Sequence, residues 1–170
     1  MSNPYRVKPY EGNEPYIFVS YKRADEEIAY DIIEELGMRS YRVWYDADHL
    51  VNDYAERTLA ERISNCAFFL CVLSEAYTND PRSRRELNFA FSNSKTVLPI
   101  MIEDFQLPEM VRYVIARFHW FSLSQFESVS KMIDYFCEVD DPVLKSCIDR
   151  PVRKPERKPG FFEKLTGKRK

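Results

Sequence analysis

The chain predicts an α/β domain, a central five-stranded parallel sheet with helices on both faces. Five short runs rich in β-branched and aromatic residues alternate with amphipathic segments. Two of those runs, 16–20 and 67–73, are almost continuously apolar, as strands covered on both faces are. Such alternation implies parallel strands joined by crossovers, with ligands bound outside the carboxyl ends of the strands.

Residues 1–14, with Pro4, Pro9 and Gly12, read as an irregular lead-in, and the domain occupies 15–149. The first strand is 16–20. Helical signals follow at once: Asp25, Glu26 and Glu27 suit a first turn, Ile28, Ile32, Ile33 and Leu36 share a face, and Gly37 fits a C-terminal cap. A second strand at 41–45 ends in a polar loop from Asp46 to Asp53. Leu59 and Ile63 then space a helix over 54–64. The run at 67–73 is the central strand. A polar connection, 74–81, leads to a helix that Ser83 caps and that turns Leu87, Ala90 and Phe91 inward. The fourth strand, 96–102, contains Pro99, which removes a ladder donor and places the strand near an edge. A short helix at 108–115, a short strand at 118–121 and an amphipathic helix carrying Phe126, Val129, Ile133 and Phe136 complete the domain.

Composition narrows the function. The chain has 170 residues, 45% apolar and 15% aromatic, enough for one folded domain with a sizeable core. No apolar run approaches the roughly 20 residues of a membrane span, and the first residues do not form a signal peptide. Four cysteines without a C-x-x-C pair, and only two histidines, argue against a structural zinc site or a disulfide framework and fit a reduced cytoplasmic protein. The four glycines form no phosphate-binding loop. Net charge is −2 and uneven: residues 1–149 hold 25 acids against 16 Lys and Arg, while 150–170 hold nine Lys and Arg against Glu156 and Glu163. The acidic body is no general nucleic-acid binder, and the proline-containing tail reads as flexible and solvated.

Three segments leave predicted strand ends and could share a cleft. Ser20-Tyr21-Lys22-Arg23 offers two cations for a phosphate and a flat ring, although the same residues also suit a solvated helix start. The loop from Asp46 to Asp53 offers carboxylates for ribose hydroxyls, or simply an exposed acidic surface. Glu86 lies near a helix N-terminus, where the backbone dipole favours its ionised form with or without a chemical role. A phosphoryl-accepting receiver domain has the same alternation but needs paired acids after strand one and an aspartate ending strand three. Here the strands end in Ser20-Tyr21 and Ser74-Glu75.

In their order these segments resemble a bacterial-type Toll/interleukin-1 receptor (TIR) domain. The matching boxes are residues 16–25, residues 41–46 with the following loop, residues 68–74, Arg85-Glu86-Leu87, Val97-Leu98-Pro99-Ile100 and Phe118-His119-Trp120, together covering about 15–138. The resemblance implies a flavodoxin-like TIR fold and one of two functions. Some members are non-catalytic assembly modules that recruit other TIR domains. Others cleave the nicotinamide–ribose bond of NAD⁺, giving nicotinamide and ADP-ribose or a cyclic isomer, often as a signal in anti-phage defence. The retained glutamate favours the enzyme. It implies Glu86 as catalytic residue and Tyr21, Lys22, Arg23, Trp44, Asp46, Leu50 and Arg82 as substrate contacts, with NAD⁺ as substrate and no cofactor or metal. It also implies self-association through TIR–TIR contacts and a separate sensor or effector protein. Two departures stand out: Arg82 replaces the tryptophan common four residues before the glutamate, and the loop after strand two lacks its usual glycine near Asn52-Asp53.

Overall fold

The structure, a computed structural model, describes residues 7–48 and 52–149. Five strands, β1 (Ile17–Ser20), β2 (Val43–Tyr45), β3 (Phe68–Leu73), β4 (Thr96–Met101) and β5 (Phe121–Ser122), form one parallel sheet in the order β2-β1-β3-β4-β5. Helices are α1 (Glu26–Met38), α2 (Asp53–Asn65), α3 (Glu75–Asn79), α4 (Pro81–Ser92), α5 (Glu109–Ile115), α6 (Val129–Glu138) and α7 (Pro142–Ser146). The predicted sheet and its two-sided cover are present. None of the described helices is long and apolar enough to cross a membrane.

Period-two alternation divides the core between the faces. Ile17, Val19, Leu70 and Val72 join Ile32, Ile33 and Leu36 of α1 and Met132, Ile133 and Phe136 of α6. Phe18, Phe69, Cys71 and Leu73 join Leu59 and Ile63 of α2, Leu87 and Ala90 of α4, and Val111, Val114 and Ile115 of α5. The chain passes from β1 outward to β2, then returns across β1 to β3. That reversal puts a crevice at the carboxyl ends of β1 and β3, the usual place for a ligand in an open α/β sheet.

Several boundaries differ from the sequence expectation. Gly37 is no cap: α1 runs through it to Met38, and the chain turns at Ser40, with φ of 64°. What Gly37 provides is room, since a Cβ there would lie 2.5 Å from Cγ2 of Val7 in the lead-in. Tyr41 lies outside β2 and forms an isolated antiparallel bridge with Ile148. The expected polar connection at 74–81 holds α3, capped by the Ser74 hydroxyl. α4 begins earlier than Ser83 implies. Asp80 is its N-cap and Pro81 its first residue, so Ser83 is a buried residue of the first turn. β5 starts at Phe121, leaving Phe118, His119 and Trp120 ahead of it. α6 starts after Ser128, so Phe126 packs on the core from the preceding segment. β5 pairs only with Ile100 and Met101, so at Pro99 β4 does run along the sheet edge.

Candidate active site

The crevice at the switch point is a cavity of about 220 Å³ lined by Ser20 at the end of β1, Tyr21, Lys22 and Arg23 after it, Asp46 after β2, and residues of the Asp80–Glu86 segment. Glu86 is set by the length of α4. With the helix starting at Pro81, position 86 falls in the second turn, one turn after Arg82 and beside the end of β1. Its Oε2 accepts a hydrogen bond from the Ser20 hydroxyl at 2.7 Å. The single Ser20 proton is thereby committed, so at the Ser20–Tyr77 contact of 2.9 Å the phenol is the donor. A relay from Tyr77 O–H through Ser20 O–H to the Glu86 carboxylate results. Tyr77 is fully buried, and burial pushes its phenol well above the ordinary value.

Glu86 is raised to a pKa of about 7. Burial is the main cause, and Asp46 and Asp80 add to it; the Ser20 hydrogen bond and the Arg82 charge oppose it. This reverses the expectation that the helix dipole holds Glu86 ionised. The dipole acts within the first turn, whereas Glu86 lies beyond it with a side chain only 15% exposed.

Two ion-pair links close the walls. Arg82 donates from Nη2 to Asp46 Oδ2 at 2.9 Å and places Nε 3.5 Å from Glu86 Oε1. Lys22 Nζ donates to Asp80 Oδ1 at 2.7 Å, while the other Asp80 oxygen accepts from the Ser83 amide and hydroxyl, both at 2.8 Å. Burial alone would raise the Asp80 carboxyl, but the bonds from Lys22 and Ser83 together hold it below the usual carboxylate range.

A family model described as TIR domain matches residues 17–133. The chain belongs to the TIR domain family. It is 30% identical over 101 residues to "NAD(+) hydrolase tir-1" of Caenorhabditis elegans, a match covering 54% of this chain and 10% of that protein. The chain thus aligns with about a tenth of that relative's length. Among solved structures it is similar to the TIR domain of the Toll-related receptor TRR-2 from Hydra magnipapillata, with TM-score 0.59, 13% identity, and coverage of 74% of this chain and 98% of that one. The Clostridium botulinum CMP N-glycosidase BcmB gives a TM-score of 0.55 at 14% identity, with coverage of 72% and 97%.

Of the residues singled out in this TIR domain from sequence, Tyr21, Lys22, Arg23, Asp46, Arg82 and Glu86 line one cavity. Tyr21 is nearly buried, its hydroxyl 3.4 Å from both Tyr30 Oη and the Asp46 carbonyl, and burial drives its phenol far up. Arg23 is exposed and forms no ion pair with another described residue. Trp44 does not reach the cavity. It stacks on Phe18 at 5.0 Å between ring centroids and sits in the core, because β2 turns that position towards α2. Leu50 lies outside the described residues. Ser20 and Ser83 were read from sequence as helix-start residues rather than as site residues, and Tyr77 and Asp80 were missed. The Asp80-Pro81 pair was a readable start signal for α4, whereas the Ser20–Tyr77 contact joins residues 57 positions apart and had no local sign. Among the described residues, no group of three or more His, Cys, Asp or Glu side chains is placed to hold a metal ion.

Proposed function

We propose that this TIR domain hydrolyses an N-glycosidic bond, and that its substrate is NAD⁺, cleaved between nicotinamide and ribose. The observation that carries the reading is the Glu86 carboxyl, largely buried in the switch-point crevice with the Ser20 hydroxyl bonded to it. The name of the C. elegans relative and that of the N-glycosidase neighbour support the same chemistry.

The reaction asks little of the protein. The bond from ribose C1′ to the pyridinium nitrogen breaks, its electron pair returns to the ring, and nicotinamide leaves neutral. The ribosyl centre becomes oxocarbenium-like, and an ionised Glu86 beside it offsets that charge and holds the ribose hydroxyls. Water then adds at C1′ and gives a proton to the Glu86 carboxylate, leaving ADP-ribose; capture by the adenine instead gives a cyclic isomer. With a pKa of about 7, Glu86 is substantially ionised at neutral pH and basic enough to take that proton. Arg23 and Lys22 stand on the phosphate side, Lys22 sharing its charge with Asp80.

The proposal extends to the product acting as a signal in bacterial anti-phage defence, to self-association through TIR–TIR contacts, and to a separate sensor or effector. One observation favours the non-catalytic assembly module instead: Arg82 links Asp46 and Glu86 across the cavity, so charges that would meet a substrate already meet each other. Nicotinamide release from NAD⁺, followed by chromatography over a protein-concentration series, separates the readings. The enzyme releases nicotinamide with specific activity that rises with concentration, and a folded Glu86→Ala variant does not. No release at any concentration from the wild type supports the assembly module.

A further inference from the structure

We infer that the groove between α2 and α4 is the pocket for the departing base and that Phe89 is the platform on which that base stacks. The inference rests on the reading of Glu86 as the catalytic carboxylate. The groove has a volume of about 450 Å³ and is lined by Leu59 and Ile63 of α2 and by Arg82, Glu86, Asn88 and Phe89 of α4, among others. It shares Leu59, Arg82 and Glu86 with the cavity at the strand ends, so the two are lobes of one cleft with the carboxylate at their junction.

The lobes differ in chemistry. The strand-end lobe holds Lys22 and Arg23, which suit phosphates and repel a pyridinium cation. The α2–α4 lobe presents Leu59, Ala60, Ile63 and the Phe89 ring beside Arg82 and Arg85, with Arg85 paired to Glu56 at 3.4 Å. The bond to be broken joins a ribose, tethered to phosphate, to an aromatic pyridinium ring that carries a positive charge. Placing the phosphates beside Lys22 and Arg23 and the ring beside Phe89 sets that bond across Glu86. The reverse placement sets the pyridinium cation beside Lys22 and Arg23 and takes it away from the Phe89 ring, and so is disfavoured.

Residues 82, 86 and 89 fall at i, i+4 and i+7, one stripe of α4, so cation, carboxylate and aromatic ring follow one another along the helix. Phe89 is 38% exposed, whereas Leu87 and Ala90 on the inner face of the same helix are buried. A pyridinium ring on the face of Phe89 gains a cation–π attraction that ends when the ring departs neutral. Asn88, also in the groove, forms no side-chain hydrogen bond to a described residue and offers a carboxamide to the carboxamide of nicotinamide.

The test compares the wild-type chain with Phe89→Ala and Phe89→Tyr, each checked for folding by thermal melting. Product inhibition by nicotinamide and by ADP-ribose is measured beside KM and kcat for NAD⁺. Stacking of this kind predicts a KM roughly five- to tenfold higher in Phe89→Ala and nicotinamide inhibition weakened by a similar factor. Inhibition by ADP-ribose stays unchanged, and Phe89→Tyr behaves as wild type. Unchanged nicotinamide inhibition in Phe89→Ala, or equal losses for both products, overturns the inference while leaving Glu86 as the catalytic group. Binding of 1-methylnicotinamide, a non-cleavable pyridinium, is followed by NMR on the same proteins and needs no turnover. Binding to wild type that is lost in Phe89→Ala upholds the pocket even if NAD⁺ is not cleaved; binding that Phe89→Ala leaves intact, or no binding to wild type, overturns it.

Discussion

Replacing Glu86 with Gln removes a carboxyl whose ionisation the fold resists, and the variant is therefore more stable than the wild type in a pH-dependent way. The unfolded chain ionises near 4.5, the native state near 7. Because the native value is the higher one, the native state binds the proton more tightly. Stability from this group is complete below about 4.5 and is lost as pH rises towards 7 and beyond. Converted at 1.36 kcal/mol per pH unit, the full loss is about 3 kcal/mol. Glutamine is close in shape to the protonated acid and still accepts from the Ser20 hydroxyl, so it keeps the local geometry without titrating. Urea unfolding of both proteins at pH 5 and pH 8 measures the difference. The variant gains about 1 kcal/mol at pH 5 and about 3 kcal/mol at pH 8, the latter a midpoint shift of roughly 1.5 M for a denaturant slope near 2 kcal/mol/M. A gain that is absent, or that is the same at both pH values, refutes the claim that burial holds Glu86 near neutrality.

Other perturbations have equally definite outcomes. Ser20→Ala removes a hydrogen bond to the charged form of Glu86 and strands the buried Tyr77 hydroxyl. The acid limb of the pH–activity profile moves upward, and urea unfolding records a loss of roughly 1–3 kcal/mol. Asp80→Ala deletes the α4 cap and the partner of Lys22, lowering stability by about 1–2 kcal/mol by the same measurement. Trp44→Phe disturbs the stack on Phe18 and lowers stability by roughly 1–2 kcal/mol. Because Trp44 is core, kcat/KM per folded molecule for NAD⁺ stays at the wild-type value.

Much of this architecture was legible because its causes are local. The β3 run Phe68–Leu73 is apolar on both faces, and the i, i+4 spacing of Leu59 and Ile63 marks the inner face of α2. What misled was local chemistry with two uses. Gly37 looks like a cap but supplies space for Val7. Ser83 looks like an N-cap, yet Asp80 with Pro81 fills that role three residues earlier. That shift matters at the site, since it moves Glu86 out of the first turn and leaves burial, rather than the dipole, to set its proton affinity. The α4 segment and the end of β1 could each be picked out as chemistry-bearing. Their joining through Ser20, Tyr77 and Glu86 depends on the crossing of chain segments 57 to 66 residues apart, which no periodicity encodes.

The most direct measurement of the central claim is nicotinamide release from NAD⁺ across pH 5.5 to 8.5 by the wild type and by Glu86→Gln. Release by the wild type rises with a single ionisation near pH 7, and the better-folded glutamine variant releases none. Equal release by the two proteins, or release by the wild type that ignores pH across that range, contradicts that claim.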